Sequence, residues 1–439
     1  MGDLKSIRTR KFMIIFVDLL LVFIAYIFAF NIRYKTILDE NWSAFLALVP
    51  WILLIALFCI MMYELYLVDR KSKWDIIRNV FVASTLMMFF TMAASFLFRE
   101  FALPRSVILV SYIVGNFLLV LWKFLIYALI SRKSNIVLFV GDDDEQEKIT
   151  QQMAHQFGKR TSIVHADSEE QIKSILAKMD EADYVVLGAK MAIETKSQII
   201  YEAIKNGKIV YVVPDFYDVL LSQSIITTID DTMVIGVKPF GLSISQQITK
   251  RIYDIIVSFI LLIILLPFFI LLMLIMKVKE PGGSIFYKQE RLGQHNREFI
   301  IYKFRSMIEG AENLTGPVLA GQHDPRITKF GHFIRKTRID ELPQLLNVLK
   351  GDMSIVGPRP EREFFIKQFE LEHSSYKYRS TVKPGITGYA QIMGKYTTGV
   401  EDKLRFDLFY IRNYSFILDL IIQFRTLIVL LDKTKSKGT

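Results

Sequence analysis

The sequence predicts an α-helical membrane protein in three parts: a four-helix transmembrane bundle, a small α/β domain, and a mostly helical C-terminal domain entered through a re-entrant membrane helix. Three observations carry that reading. Hydrophobic residues are 52% of the 439, and mean hydropathy is +0.33, more apolar than a soluble globular chain. Long apolar runs reach the ~20 residues that a helix needs to cross the hydrocarbon core. After the fourth run, short apolar stretches alternate with helix-like ones.

Composition narrows the chemistry. Lys and Arg number 54 against 44 Asp and Glu, a net charge of +10. In an apolar chain that excess suits anionic lipid or anionic substrates better than nucleic acid. The 22 Gly and 12 Pro are too few for a low-complexity or collagenous chain. A lone cysteine, Cys59, excludes a disulfide framework and a cysteine-ligated metal site.

The transmembrane part spans residues 1–133. Its apolar runs cover roughly 12–32, 43–68, 76–98 and 106–130. Lys5, Arg8, Arg10 and Lys11 precede the first run; Arg70, Lys71 and Lys73 lie between the second and third; Arg132 and Lys133 follow the fourth. The positive-inside rule puts the N-terminus, the second loop and everything after residue 131 in the cytosol. Asp18 falls within two turns of the cytosolic end of the first run and is expected to reach the interface.

Residues 134–238 read as a cytosolic Rossmann-like α/β domain. Asn135–Val140, Tyr184–Gly188 and Ile209–Pro214 are strand-like; 144–157, 168–180 and 193–206 are helix-like. The first turn, Gly141-Asp142-Asp143-Asp144, lacks a G-x-G-x-x-G loop, and its carboxylates would repel a pyrophosphate. A scaffolding, dimerising or regulatory role is the expectation.

The third part, 244–439, opens with an apolar helix over 253–277. Lys250 and Arg251 flank one end and Lys277 and Lys279 the other, which favours both ends in the cytosol. Pro267 near the middle removes a backbone donor and bends a helix. A helix that enters one leaflet and returns satisfies both facts; a kinked span is the alternative.

Chemistry concentrates downstream. Leu342, Leu345, Leu346 and Leu349 fall on one helical face, and Lys350-Gly351 ends it. Asp340 is then the expected N-cap, with Pro343 in the first turn. Capping is the bland role. The sharper one notes that free N–H groups at a helix start lower a carboxylate's pKa and attract phosphate. Arg326, Lys329, Arg335, Lys336 and Arg338 lie just upstream, five cations beside one acidic pair, as a multiply charged anion requires. Adjacent carboxylates point about 100° apart on a helix, so Asp340 and Glu341 take separate roles, one attacking phosphorus or acting as base, the other holding Mg2+.

Gly357-Pro358-Arg359-Pro360 fixes the backbone on either side of a guanidinium suited to phosphate. Phe286–Gly293 and Tyr302–Met307 alternate rings with cations, among them Arg291, Lys303 and Arg305, as a strand or helix at a membrane surface would. Lys383–Gln391 is a constrained, turn-rich segment. Residues 401–432 read as a helix whose Asp407, Arg412, Asp419 and Arg425 make it interfacial.

Together, Phe286–Gly293, Tyr302–Met307, Arg335–Gly351, Val356–Pro360, Pro384–Gln391 and Phe409–Ser415 resemble the monotopic polyprenyl-phosphate phosphoglycosyl transferases, the bacterial sugar transferases that start polysaccharide synthesis. The resemblance covers about 244–432, and the preceding bundle and α/β domain resemble the family's large form. It implies transfer of a sugar-1-phosphate, glucose or galactose, from a UDP-sugar to undecaprenyl phosphate with release of UMP, as the first membrane step of exopolysaccharide, capsule or O-antigen assembly. It implies Asp340 as the residue that carries the covalent phosphosugar and Glu341 as the Mg2+ ligand. Arg335 and Arg359 are then phosphate-binding residues, with Arg338, Lys303, Arg305 and Arg291 beside them, and Asp407 matches a further family aspartate. The family's re-entrant helix breaks at a proline, matched by Pro267, although Leu266 stands where members often carry serine. The expected setting is the bacterial cytoplasmic membrane, with membrane lipid around the site, no nucleic acid, and a homodimer. A metal-dependent glycosyltransferase or phosphatase without a covalent step, and a non-enzymatic membrane scaffold, stay open as alternatives.

Overall fold

The computed structural model describes residues 2–34, 39–68, 71–98, 103–130, 135–142, 145, 149, 161–168, 170–311, 324–394 and 398–431. The chain divides by contacts into two units, Met1–Pro214 and Asp215–Thr439.

The first unit begins with four long helices: α1 (Gly2–Arg33), α2 (Asp39–Met62), α3 (Lys73–Leu97) and α4 (Arg105–Ile130). All four are long and apolar enough to cross a membrane by length and composition. α1 packs on α2 and α4, and α3 on α2 and α4. Phe45 of α2 stacks among Phe23, Tyr26, Phe30 and Trp42, tying α1 to α2. Ser72 caps α3 in a reciprocal box with Asp75. Asp18 does not reach an interface. Its carboxylate is fully buried and accepts from Lys123 Nζ of α4 at 2.6 Å. A carboxylate in an apolar bundle needs its counter-charge within reach, and the fourth helix supplies it.

The α/β part of this unit is a four-stranded parallel sheet, order β2-β1-β3-β4: β1 (Asn135–Val140), β2 (Thr161–Ala166), β3 (Tyr184–Leu187) and β4 (Ile209–Val212). Helices α5 (Ile172–Glu181) and α6 (Ile193–Lys205) bury Ile175, Met179, Ile199 and Ala203 with Leu138, Val140, Val185 and Leu187. The edge strand β2 is mostly half-exposed, and its mixed composition (Thr-Ser-Ile-Val-His-Ala) hides it from a hydropathy reading. Asp143, Asp144 and most of the helix-like 144–157 stretch lie outside the described residues.

In the second unit α7 (Phe216–Leu221) and the hairpin β5 (Ile225–Ile229) and β6 (Thr232–Gly236) precede α8 (Ile244–Lys279), so residues 215–236 group with the C-terminal unit. α8 is capped by Ser243 in a box with Gln246 and runs as one helix through Pro267. It too is long and apolar enough to cross a membrane, and only 11% of its most apolar window is buried, leaving most of its surface free for lipid. The antiparallel pair β7 (Phe286–Leu292) and β8 (Glu298–Phe304) follows. Then come α9 (Lys329–Lys336), α10 (Gln344–Lys350), β9 (Ser354–Val356), α11 (Glu363–Glu372), β10 (Gly385–Thr387), α12 (Tyr389–Met393), α13 (Val400–Arg412) and α14 (Phe416–Leu431).

Two features frame the site. α8 is hooked to the segments around it: Arg251 donates to the carbonyls of Val348 and Leu349 at the end of α10, and Asp254 accepts the N–H of Ile355 at 3.1 Å. Its Lys250 pairs with buried Asp419, which also accepts from Tyr410 at 2.8 Å. Secondly, β9 and β10 pair in parallel with glycines packed between them. A Cβ on Gly388 would lie 2.2 Å from the Gly357 carbonyl oxygen, and one on Gly357 would lie 2.4 Å from that of Lys383. The two motifs therefore form one interlocked backbone unit.

Residues 401–432 are two helices, broken at Asn413–Ser415, not one. Their acids do not lie at an interface either: Asp407 and Asp419 are buried in ion pairs. A charge every few residues marks a face that meets other charges, whether in water or in a core.

Candidate active site

Asp340 does not cap a helix. Ile339–Glu341 is a 3-10 turn, Arg338 before it is left-handed (φ 54°), and α10 begins only after Pro343. Leu342 and Pro343 already have helical backbone angles (φ −59°, ψ −33° and φ −61°, ψ −15°), so the 3-10 turn leads into α10 without an Asp340 cap. Nor are the four leucines one buried face, because Leu346 is exposed. The buried face of α10 holds Gln344, Leu345, Asn347 and Val348. Asn347 donates to the Ile300 carbonyl at 2.7 Å and accepts the Tyr302 N–H at 3.0 Å, replacing a strand partner for β8. A hydropathy pattern has no term for such a residue.

This zipper sets Lys303 over the acidic turn. Lys303 Nζ donates to Glu341 Oε1 at 3.2 Å, and Arg359 Nη2 donates to the same oxygen at 2.6 Å. Beneath the turn, Phe304, Ile334, Leu272 and Met276 form an apolar floor. Asp340 and Glu341 are both buried. Among the described residues, Asp340's carboxylate makes no hydrogen bond or ion pair.

The two acids therefore differ. Burial, reinforced by the Glu341 charge, pushes the Asp340 carboxyl up to about 6, against the pull of Lys303, Arg335 and Arg359. That reverses the depression expected of a helix start, since there is no helix start to supply it. Burial also opposes ionisation of Glu341, but Arg359 and Lys303, with Arg338, outweigh it and hold that carboxyl far below its usual range.

The cations sort into two sets. Lys303, Arg335, Arg338 and Arg359 act on the acidic pair. Arg305 does not: it donates to the carbonyls of Glu280 and Gly282 and so fastens the end of α8. Arg291 donates to the Pro360 carbonyl at 3.3 Å and to Gln289 at 2.7 Å, with Glu361 at 3.7 Å, so it braces the arginine loop. Arg326 is committed to Asp324 at 2.6 Å, and Lys329 and Lys336 are exposed. Asp407 pairs with Arg379 at 2.7 Å, a partner that sequence spacing did not suggest. Pro267 is exposed in mid-helix, away from these groups.

The arrangement offers one carboxylate unpaired among the described residues, a second held ionised, and a cationic rim. Comparison with known proteins gives its context. Residues 245–433 match the model of the bacterial sugar transferase family. An uncharacterized sugar transferase of Bacillus subtilis is 42% identical over 176 residues, 40% of this chain and 84% of that protein. The chain belongs to the bacterial sugar transferase family. Asp340, Glu341 and Arg359 lie within the matched region of this family member. An Aeromonas hydrophila UDP-N-acetylgalactosamine-undecaprenyl-phosphate N-acetylgalactosaminephosphotransferase is 43% identical over 181 residues, 40% of this chain and 42% of that protein. An Escherichia coli UDP-glucose:undecaprenyl-phosphate glucose-1-phosphate transferase is 37% identical over 222 residues, 49% of this chain and 47% of that one. The chain thus matches less than half the length of these two relatives.

Proposed function

We propose that this protein transfers a sugar-1-phosphate, glucose-1-phosphate or galactose-1-phosphate, from a UDP-sugar to undecaprenyl phosphate and releases UMP, beginning assembly of a surface polysaccharide. The single observation that supports it best is the unequal pair: Glu341 is held ionised by Arg359 and Lys303, while Asp340 beside it has no hydrogen-bond or ion-pair partner among the described residues.

In this reading Asp340 attacks the phosphorus that bears the sugar. An Asp340–phosphorus bond forms, the bond to the uridine phosphate oxygen breaks, and UMP leaves with that electron pair. The phosphate oxygen of undecaprenyl phosphate then attacks the same phosphorus and returns the carboxylate. Arg335, Arg338 and Arg359 hold phosphate oxygens and offset charge as it develops. The residues suit Mg2+, which binds through one or two carboxylates plus substrate phosphates and water. Glu341 would hold it through the oxygen not taken by Lys303 and Arg359. A bound Mg2+ would supply further neutralisation of the diphosphate.

α8 serves as a re-entrant helix with Pro267 inside its one continuous helical run, which keeps the site on the cytosolic face of a bacterial inner membrane, and the protein works as a homodimer. The chemistry favours that setting: a water-soluble anionic donor meets a lipid-bound anionic acceptor, and a basic site at the interface takes one from each phase. The A. hydrophila and E. coli relatives are named for different sugars, so the donor panel must include N-acetylgalactosamine.

The test uses purified protein with Mg2+ and UDP-sugars, without polyprenyl phosphate. Stoichiometric UMP release and a phosphosugar adduct mapped to Asp340, both lost in Asp340→Asn, are expected. UMP only after the lipid acceptor is added, with no adduct, would mean direct transfer in a ternary complex.

A further inference from the structure

We infer that Arg379 is a positioning residue for Arg359, acting through the Arg359 carbonyl and aimed by Asp407 and Tyr376; the inference rests on the function proposed above. Pro358, Arg359, Pro360 and Glu361 each have their carbonyl held from another segment. Gly385 N–H reaches Pro358 at 2.9 Å, Arg379 Nη2 reaches Arg359 at 3.1 Å, Arg291 Nη1 reaches Pro360 at 3.3 Å, and Leu292 N–H reaches Glu361 at 3.2 Å. A segment flanked by prolines forms no regular internal hydrogen bonds, so its surroundings set its shape.

Arg379 is the one donor among these that is itself fixed by side chains at both other corners of its fork. Its Nε donates to Asp407 Oδ2 at 2.7 Å and its Nη1 to Tyr376 OH at 2.5 Å. A planar guanidinium fixed at two nitrogens has its third aimed. Asp407 also balances the buried Arg379 charge. Arg359 can then turn its own fork, still 43% exposed, toward Glu341 and an incoming phosphate. This places Asp407 two links away from substrate.

Arg379 and Arg359 also line a common open cleft, so direct contact between Arg379 and the donor is the competing reading. A double-mutant cycle separates them, using full-length protein in lipid nanodiscs with Mg2+, UDP-sugar and undecaprenyl phosphate. Arg379→Gln should lower kcat/KM by about 100-fold, chiefly in kcat, as misplacement of a charged group does. In an Arg359→Gln background the same change should cost less than about threefold. Arg379→Lys should not rescue, because a single ammonium nitrogen cannot span the three separated acceptors that the guanidinium reaches with three different nitrogens. Hydrogen exchange in the absence of substrate should quicken across residues 356–362 in Arg379→Gln.

Equal losses in both backgrounds with a raised KM would overturn the inference in favour of donor contact, and so would unchanged exchange at 356–362. Should Arg379→Gln fold poorly, Asp407→Asn/Arg379→Gln removes both buried charges together and carries the same cycle. If wild-type protein releases no UMP from any donor, the proposed function fails, while the exchange measurement still decides the clamp.

Discussion

Asp340 and Glu341 are adjacent in the chain and opposite in circumstance: Glu341 accepts from Arg359 at 2.6 Å and Lys303 at 3.2 Å, whereas Asp340 accepts from nothing among the described residues. One peptide unit separates a carboxylate with two cationic partners from a buried one with none among the described residues. The 3-10 turn permits this by turning the two side chains to different neighbours.

That asymmetry sets a pH dependence. A carboxylate nucleophile must be ionised, and Asp340 titrates at about 6. kcat/KM should therefore fall roughly tenfold per unit as pH drops below 6. Stability runs the other way. A carboxyl whose folded pKa is raised above its unfolded value makes the fold less stable as pH climbs from about 4 to about 6, and the loss persists above that window. Asp340→Asn should thus be inactive yet more stable at pH 7 by on the order of 1–3 kcal/mol, with the gain vanishing below pH 4. Thermal melts of both proteins across pH 4–8 check it, and a less stable Asp340→Asn at pH 7 would refute it.

Lys303 on β8 and Arg305 just past its end stand two residues apart and should separate cleanly. Lys303→Gln leaves Glu341 with Arg359 alone and should cut kcat/KM by about 10- to 100-fold while the melting temperature moves little. Arg305→Gln strands the carbonyls of Glu280 and Gly282 and should cost about 1–3 kcal/mol of stability with KM unchanged within about twofold. Donor titrations together with melts on both variants decide the matter; a large KM change in Arg305→Gln would return it to the phosphate site.

The β9–β10 interlock predicts intolerance at one glycine and indifference at another. Gly388→Ala drives a methyl to 2.2 Å from the Gly357 oxygen, backbone against backbone, and should destabilise by about 3 kcal/mol or more. Gly399→Ala meets nothing within 4 Å among the described residues and should be silent to within about 0.5 kcal/mol. Chemical denaturation of the two variants under one set of conditions is the measurement.

What the sequence made readable was whatever rests on local pattern. The four N-terminal apolar runs correspond to α1–α4, and β1 has the bounds that its apolar run marks. The Asp-Glu pair, Lys303, Arg335, Arg338 and Arg359 stand out by type and spacing, and they lie together. Arg379 and Asn347 did not, because their importance comes from chain segments tens of residues away: Arg359 for one, β8 for the other. Arg305 and Arg326 misled for the same reason. A cation looks free until the fold shows which carbonyl or carboxylate it already holds. Asp18 was read by its distance from the helix end, a measure blind to Lys123 on another helix.

The grip of Arg251 on the last carbonyls of α10, and of Asp254 on Ile355, gives α8 a mechanical meaning. That helix is fastened near both ends, by Arg251 and Asp254 at one and by Leu272, Met276 and the Arg305 contacts at the other, with its exposed apolar stretch between. A rigid rod fastened so transmits torque. A change in its tilt would therefore load the floor of the site, where Leu272 and Met276 lie.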